Sequence, residues 1–598
     1  MSLLAELRHR SVVKVGAAYL LVAWLAVQGA SIGFPAFDAP PWALRVFILG
    51  LLLGFPIAVV MAWMFERTPD GLRLEAAPSG NKRIVAIALV LAALAIAWYY
   101  RGQPTVRVAP VPAGEVGATA PAADAPKSIA VLPFLNMSAD ADNQFFADGI
   151  SEELLNVLVR VPDLGVASRT SSFAYKGKGL GAAAIARELN VRYILEGSVR
   201  KAGDQVRITA QLIDAGQDRH LWSQTYDRQL TDIFKMQDEI ANAIVQALRG
   251  SLTTAAKPAP AVTVLADTDN VQAYELYLKA RENFIARRDL AATVQMFERV
   301  VSMDPKFARG WEGLAAVASV APSWGVVDRD YLALADTAAT RALELDPSLS
   351  MPWAVRSQVL TRTWPIDYDA SIADLDKAIA ADPRNATALL WRGIAWTHMG
   401  YFDRAIADLE HATTLEPNYQ NAVRHKALAL LLRGREDEAF ALYDKGVEQG
   451  FLNSRTENFI APMWNRGRRT EAMLLAGFAS MDPELRDVLR QAFDHPGAPA
   501  GDVAALVKRH ARDPDFDQAK GTLTLTHLRL WLGDFDGAAA EDDTVTTTIA
   551  VWDRYPAGWR NSPGMKRKLV AMGAVAYWRV HGFPPQCRPV GAGDFRCD

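Results

Sequence analysis

Cysteine is almost absent. The chain of 598 residues carries two, Cys587 and Cys597, both within the last dozen positions. With no C-x-x-C pair and no histidine group at ligand spacing, no metal site and no cofactor is expected. An excess of one charge is lacking too. Lys and Arg number 64 against 67 Asp and Glu, a net charge of −3, so nucleic acid is not an implied partner. The local cluster Arg466, Arg468 and Arg469 reads as a solvated helix end. Catalytic settings are missing as well. In "DADNQFFADG" Phe145 stands where a calcium loop needs glycine, and Ser168, Ser171 and Ser172 have no G-x-S-x-G context.

What the sequence does have is length for several units and 50% hydrophobic residues. Three apolar runs dominate the start: "VVKVGAAYLLVAWLAVQGASI" from Val12, "WALRVFILGLLLGFPIAVVMAWMF" from Trp42 and "IVAIALVLAALAIAWYY" from Ile84. Their lengths predict a membrane anchor over 1–101 with three transmembrane helices at about 12–32, 42–65 and 84–100. Arg8, Arg10 and Lys14 precede or open the first run, and Arg67, Arg73, Lys82 and Arg83 follow the second. The positive-inside rule then places the N-terminus in the cytoplasm and everything after about 101 across the membrane. In a bacterial inner membrane that side is the periplasm, whose oxidising conditions favour a Cys587–Cys597 disulfide over two free thiols. An Ala/Pro-rich linker is expected over 102–126.

From 127 to 255 the pattern changes to a small α/β module. "SIAVLPF" opens as a strand, and "FADGISEELLNVLVRVP" has helical spacing, with Ser151 a plausible N-cap. "LGVASR" is a second strand and "GAAAIARELN" a second helix. "YILEGSVRK" and "QVRITAQLID" read as a hairpin about Ala202-Gly203-Asp204, with Val199, Val206, Ile208, Ala210 and Leu212 inward and Arg200, Lys201, Arg207, Thr209 and Gln211 wet. "HLWSQTYDR" and a last helix from Asp232 close the unit. The glycine loop Gly177, Lys178, Gly179 and Gly181 before a helix is a weak anion-site candidate. It lacks phosphate-loop spacing, and a solvent loop explains it as well.

The strongest soluble signal is internal repetition. Pro347, Pro383 and Pro417 each follow an acid, 36 and 34 residues apart. Gly400, Gly434 and Gly467 recur in steps of 34 and 33, with Ala405, Ala439 and Ala472 five residues on. In the window from Ala386 to Tyr419, Gly393 permits close helix packing and Trp396 fills a groove. Gly400 turns the chain, Ala405 and Ala412 sit at tight crossings, Leu409 is core, and Pro417 ends the pair. This is the tetratricopeptide pattern, predicting an all-α superhelical solenoid over 271–580 after a linker at 256–270, with the pattern decaying after about 454. Further windows fit at 274–307, 316–349, 352–385 and 420–453. Residues 581–598 form a cysteine-containing tail. Of Trp311, Trp353, Trp391 and Trp396, the last is assigned to the core; Trp391, Arg392, Arg356 and His425 are candidates for the groove.

Taken together, "IAVLPF", "FADGISEEL", "VASRTSSFAYKG", "LNVRYILEGSV" and "QLIDAGQDRHLWSQTYDR" resemble the TolB amino-terminal-like module of bacterial membrane proteins with C-terminal tetratricopeptide repeats. Relatives often carry a cyclase or winged-helix domain on the cytoplasmic side. Here only about ten residues precede the first run, so a signalling output would need a separate partner. The resemblance and the repeats imply a membrane-anchored, non-enzymatic scaffold that binds proteins or peptides. A signalling subunit is the alternative, and a nucleotide- or anion-binding enzyme is the least favoured reading.

Overall fold

The computed structural model describes residues 128–140, 143–161, 164–250, 268–362, 365–449, 457–477, 483–495, 525–540, 551–554 and 558–598 apart from 592, with a few positions before 128 and residue 505. The chain divides into two compact units, 1–120 and 121–598.

In the first unit a strand pair, β1 (Phe65–Thr68) and β2 (Gly71–Leu74), is antiparallel with Thr68 opposite Gly71. The Tyr19 hydroxyl donates to the Leu51 carbonyl at 2.8 Å. The expectation of three membrane-spanning helices is overturned: among the described residues no helix is long and apolar enough to cross a membrane. Inner-membrane placement and a periplasmic C-terminal part fall with it. Hydropathy reports the free energy of leaving water, not what a run packs against. Phe65, placed at the end of the second run, lies in β1 instead. Most of the first two runs and all of 84–100 lie outside the described residues.

In the second unit the α/β module is built on a mixed sheet in the order β5-β3-β6-β7-β8. Its strands are β3 (Ser128–Val131), β5 (Gly165–Val166), β6 (Tyr193–Ala202), β7 (Gln205–Asp214) and β8 (Arg219–Gln229), with a short β4 (Leu135–Asn136) beside β6. β3 runs parallel to β5 and β6, while β6, β7 and β8 form an antiparallel meander. The predicted hairpin is present with Ala202 opposite Gln205, and Gly203 takes the positive φ of 56° that its two-residue turn requires. Val199, Val206, Ile208, Ala210 and Leu212 are all buried.

Helices α1 (Gln144–Val159) and α4 (Ile233–Gly250) belong to the core on one face of this sheet. α2 (Arg169–Phe173) and α3 (Ala182–Leu189) lie between β5 and β6 in sequence, and α3 packs on the other face through Ile185 and Ala186. α1 starts seven residues before Ser151. That serine is buried inside the helix, its Oγ accepting from Phe134 N at 2.8 Å and donating to Ala147 O at 2.9 Å. It therefore ties the end of β3 to the helix instead of capping it.

The repeats are antiparallel helix pairs: α5 (Val271–Ile285) with α6 (Leu290–Met303), α7 (Ala308–Val320) with α8 (Tyr331–Leu345), α9 (Ser350–Leu360) with α10 (Tyr368–Ala381), α11 (Ala386–His398) with α12 (Phe402–Leu415), α13 (Gln420–Arg433) with α14 (Glu436–Glu448), and α15 (Glu457–Asn465) with α16 (Arg469–Leu475). From α5 to α13, the first helices of successive pairs touch one another, so they make a common wall. The acid-proline pairs explain the stops. Asp304, Asp346 and Asp382 end a helix and accept from the amide two residues on at 2.9–3.0 Å, an Asx turn that the following proline keeps from continuing as helix. The second pair begins at Ala308 rather than 316, because a longer turn over 321–330 offsets the spacing there.

Beyond these pairs come α17 (Pro483–Asp494), α18 (Leu525–Trp531), α19 (Phe535–Ala540), α20 (Pro563–Ala571) and α21 (Ala574–His581). The chain ends in a hairpin of β9 (Cys587–Val590) and β10 (Asp594–Cys597), closed by a Cys587–Cys597 disulfide.

Candidate interaction site at the joint of module and repeats

The segment "FADGISEEL" puts Asp148, Glu152 and Glu153 on one side of α1, and that side faces away from water. Their exposures are 6%, 5% and 2%. A buried carboxylate persists only when paired, and each of these has a cation. Lys176 Nζ lies 2.5 Å from Asp148. Arg169 and Arg281 reach Glu152 at 2.8 and 3.0 Å. Arg309 Nη1 donates to both oxygens of Glu153 at 2.9 and 2.8 Å, with Arg281 at 3.8 Å. Arg281 and Arg309 belong to α5 and α7, so the pairs cross from module to repeats. Burial works against the Arg281 charge, but Glu152, Tyr277 and Glu153 override it and raise its pKa. Burial pushes the Tyr277 phenol up to about 12, with Arg281 and Arg309 pulling it back.

Apolar contacts continue through the joint. At Gly149 an added Cβ would stand 2.8 Å from Leu278 Cδ2, so the glycine lets α1 approach α5 closely. Gln237 on α4 donates to the Tyr274 hydroxyl at 3.2 Å, and Phe234 meets that ring edge-on at 4.8 Å. Ile150, Leu154, Tyr274, Phe297 and Leu314 share one core. Lys201, expected on the wet face, instead pairs with Glu275 of α5. Its hairpin is thus part of the joint.

A second contact lies further along. Arg384 donates to the Val166 carbonyl, and Thr170 Oγ1 donates to Glu416 at 3.1 Å. Burial raises the Glu416 pKa, against Thr170 and Arg169. Between them opens a cleft of about 460 Å³ lined in part by Ser168, Ser171, Tyr175, Lys178, Arg384 and Asn418. The glycine loop sits at this cleft only through Lys178, whose Nζ lies 5.0 Å from the Tyr175 ring. Gly177 and Gly179 take positive φ, and a Cβ at either or at Gly181 would meet nothing within 4 Å. Their backbone is an open loop tip, not a cradle.

The proposed groove residues are distributed differently from expectation. Arg392 on α11 is bound to Asp408 at 2.8 and 2.7 Å and to Asp376 at 2.7 Å, which fastens α11 to α12 and α10. Arg356 lies 3.6 Å from Asp374 and over the Trp353 ring at 5.2 Å. Both arginines serve the stacking. His425 is half-buried beside Arg424, 3.3 Å away. Trp391 is half-buried on the wall of first helices and packs against more than one core cluster. Trp311 and Trp353 are not core but half-buried anchors, their indoles donating to the Pro305 and Pro347 carbonyls at 3.0 and 3.4 Å. The repeat positions Trp396, Ala405, Leu409, Ala412 and Ala439 are buried. A Cβ at Gly393 would lie 2.7 Å from Leu409 Cγ, and Gly400 and Gly434 have φ of 82° and 91°. Pro417 lies one residue after the C-cap of α12.

The sequence reading missed that the chain's end folds back onto the repeats. Trp552 donates to the His398 carbonyl at 2.8 Å, Trp578 to Met399 at 3.0 Å, and Gln586 to Gly400 at 2.7 Å. Three buried tryptophans in the last fifty residues, Trp552, Trp559 and Trp578, were the available signal.

Comparison with known proteins adds the following. A family model described as the second domain of HilA/YgeH-like transcriptional regulators matches residues 125–243, most of the α/β module. This match does not show the TolB amino-terminal-like module expected there. A curated relative from Rhizobium meliloti (strain 1021), named "Putative adenylate cyclase 3", is 40% identical over 232 residues. The match covers 38% of this chain and 39% of that protein, so this chain spans well under two thirds of the relative's length. Among solved structures, a tetratricopeptide protein of Thermus thermophilus, TTC0263, is 23% identical, covering 34% of this chain and all of that one, with a TM-score of 0.27. TolB from Acinetobacter baumannii is 20% identical over 21% of this chain and 28% of its own, with a TM-score of 0.17. Scores so low carry no argument; the repeat fold rests on the helix pairs and their spacing.

Proposed function

We propose that this chain is a non-enzymatic protein-interaction subunit, a scaffold or adaptor whose repeat wall takes a protein or peptide partner and whose α/β module is fixed to that wall as one body. The observation that carries this reading is the joint. Buried ion pairs from α1 to α5 and α7 make the module and the repeats move together, so a partner held by one is presented relative to the other. Stacked helix pairs bury their apolar faces against each other and leave an extended wall, the usual surface for segments of other proteins. Affinity capture with the full chain, compared with Trp391→Ala and His425→Ala together, tests it. A partner retained by the native chain and lost from the double variant supports the reading. The same proteins in both samples count against it.

One alternative has its own support. The 40% identical segment lies in a relative named as a cyclase, and the matching family model belongs to a transcriptional regulator. A signalling subunit that passes a binding event to a separate effector fits both. Nucleotide-cyclase or reporter output that is unchanged in cells lacking this chain would remove that reading.

A further inference from the structure

The contact at Val166 and Thr170 leaves the cleft of about 460 Å³ open between module and repeats. That volume lies within the roughly 300–1,000 Å³ of sites that hold small molecules. The module's wall brings Ser171, Tyr175 and Lys178, and the repeats bring Arg384 and Asn418. Leu189 on one side and Leu415 and Pro417 on the other add an apolar part.

The charges facing this space do not cancel. Lys178 lies over the Tyr175 ring at 5.0 Å and has no ion pair among the described residues. Arg384 has none among them either. Its place is set by the sheet. Ala167 N donates to Ile129 O at 2.8 Å, so the carbonyl of Val166, one residue back, is turned away from β3, and Arg384 donates to it there. One bond fixes the guanidinium at the cleft and leaves its other N–H groups to donate. Among the described residues a single carboxylate lines the cleft, Glu188, which is exposed and accepts from the Tyr175 hydroxyl at 2.8 Å. Glu416 accepts from Thr170 and does not line it. Neutral donors remain. Ser168 donates to Ser171 Oγ at 3.0 Å, which leaves the Ser171 proton to donate, and the Asn418 amide has no side-chain partner among the described residues.

We propose that this cleft binds a small phosphate monoester. Its phosphoryl group lies between Lys178 and Arg384, with Ser171 and Asn418 donating, and its organic part rests against Leu189, Leu415 and Pro417. A phosphoryl group carries nearly two charges and three diverging acceptor oxygens, so cations on opposite walls reach it together. A carboxylate offers two oxygens in one plane and suits a fork from one side. Bare phosphate leaves the apolar part of the walls wet. The bound ester joins module to repeats at this second contact, where two like charges otherwise face one space. Its binding does not depend on a partner at the repeat wall.

Isothermal titration of the purified full chain with phenyl phosphate, a hexose phosphate, inorganic phosphate and benzoate tests this. One ester is expected to saturate a single site at least about tenfold more tightly than inorganic phosphate or benzoate. Lys178→Gln, at an exposed position, is expected to weaken it about tenfold with ligand-free hydrogen exchange unchanged. In the native chain the ester should raise protection in α2 and at the start of α11 and leave α14 as it was. No binding of either ester at about 1 mM overturns the proposal. So does equal binding of inorganic phosphate or benzoate, undiminished binding by Lys178→Gln, or binding without protection at α2 and α11.

Discussion

Glu153→Ala is the perturbation that asks most of the joint. It deletes the carboxylate between Arg309 and Arg281 and leaves Arg309, its side chain 16% exposed, without that partner. At an effective dielectric of about 20, charges roughly 2.8 Å apart attract by about 6 kcal/mol, and desolvation of both groups takes back much of it. The larger effect is asymmetric, since removing one member of a buried pair costs about 3–5 kcal/mol. Arg281 keeps Glu152 at 3.0 Å, so the lower end applies, about 3 kcal/mol. Stacked repeats do not unfold in one step, so a single melting curve is the wrong assay. Amide hydrogen exchange is the right one. Protection in α1 and α5 is expected to fall about a hundredfold, while α11 and α12 keep theirs. Glu153→Met with Arg309→Leu, which removes both charges, is expected to recover most of the loss. Unchanged protection in α1, a uniform fall along the chain, or a double variant no better than the single one would refute the reasoning.

Other outcomes follow from particular residues. His398 is held near a pKa of about 4 by burial, below its ordinary 6.5, so its neutral form is favoured in the fold. That contribution is complete above pH 6.5 and is lost as pH falls from there through about 4; it amounts to at most about 3 kcal/mol, less for an imidazole that keeps some solvent contact. Amide-exchange protection in α11 of the native chain should therefore drop between pH 7 and 4.5 more than in His398→Gln, and equal losses in the two would contradict it. Gly393→Ala gains about 1 kcal/mol of helix propensity but forces Leu409 aside at about 1–3 kcal/mol, so lower protection in α11 and α12 is expected. Reducing the Cys587–Cys597 disulfide frees a loop with a sequence separation of 10 and is expected to cost the tail about 3 kcal/mol, read as faster exchange in β9 and β10. Cys597→Ser should show the same exchange with or without reductant.

The repeats were legible because stacking leaves traces in one dimension. Helices that cross closely need glycine or alanine at fixed intervals, as Gly393, Ala405 and Ala412 show, and the stops need acid and proline. The β6–β7 hairpin was legible for a similar reason, since alternation in "QVRITAQLID" follows from one buried face. The joint was not. Glu152 and Glu153 look like a wet helix face until Arg281 and Arg309, more than a hundred residues away, are folded against them. Ser151 misled in the same way, because a serine before acidic residues is a cap by local rules and here a tertiary contact set its role. Arg356 and Arg392 looked available for a ligand because their partners Asp374 and Asp408 lie on the neighbouring helix. The three N-terminal runs had the length and hydropathy expected of membrane helices, yet among the described residues no helix meets that requirement. Strand β1 takes up Phe65, which the second run had claimed.

Site-specific photocrosslinking in cells tests the proposal of a partner-binding wall most directly. A crosslinking residue at Trp391 or His425, on the first helices, is to be compared with one at Glu410 or Asp403 on α12. The account predicts a discrete set of crosslinked proteins from the first pair of positions and none of those proteins from the second. Identical crosslinks from both, or none from the first helices, would contradict it.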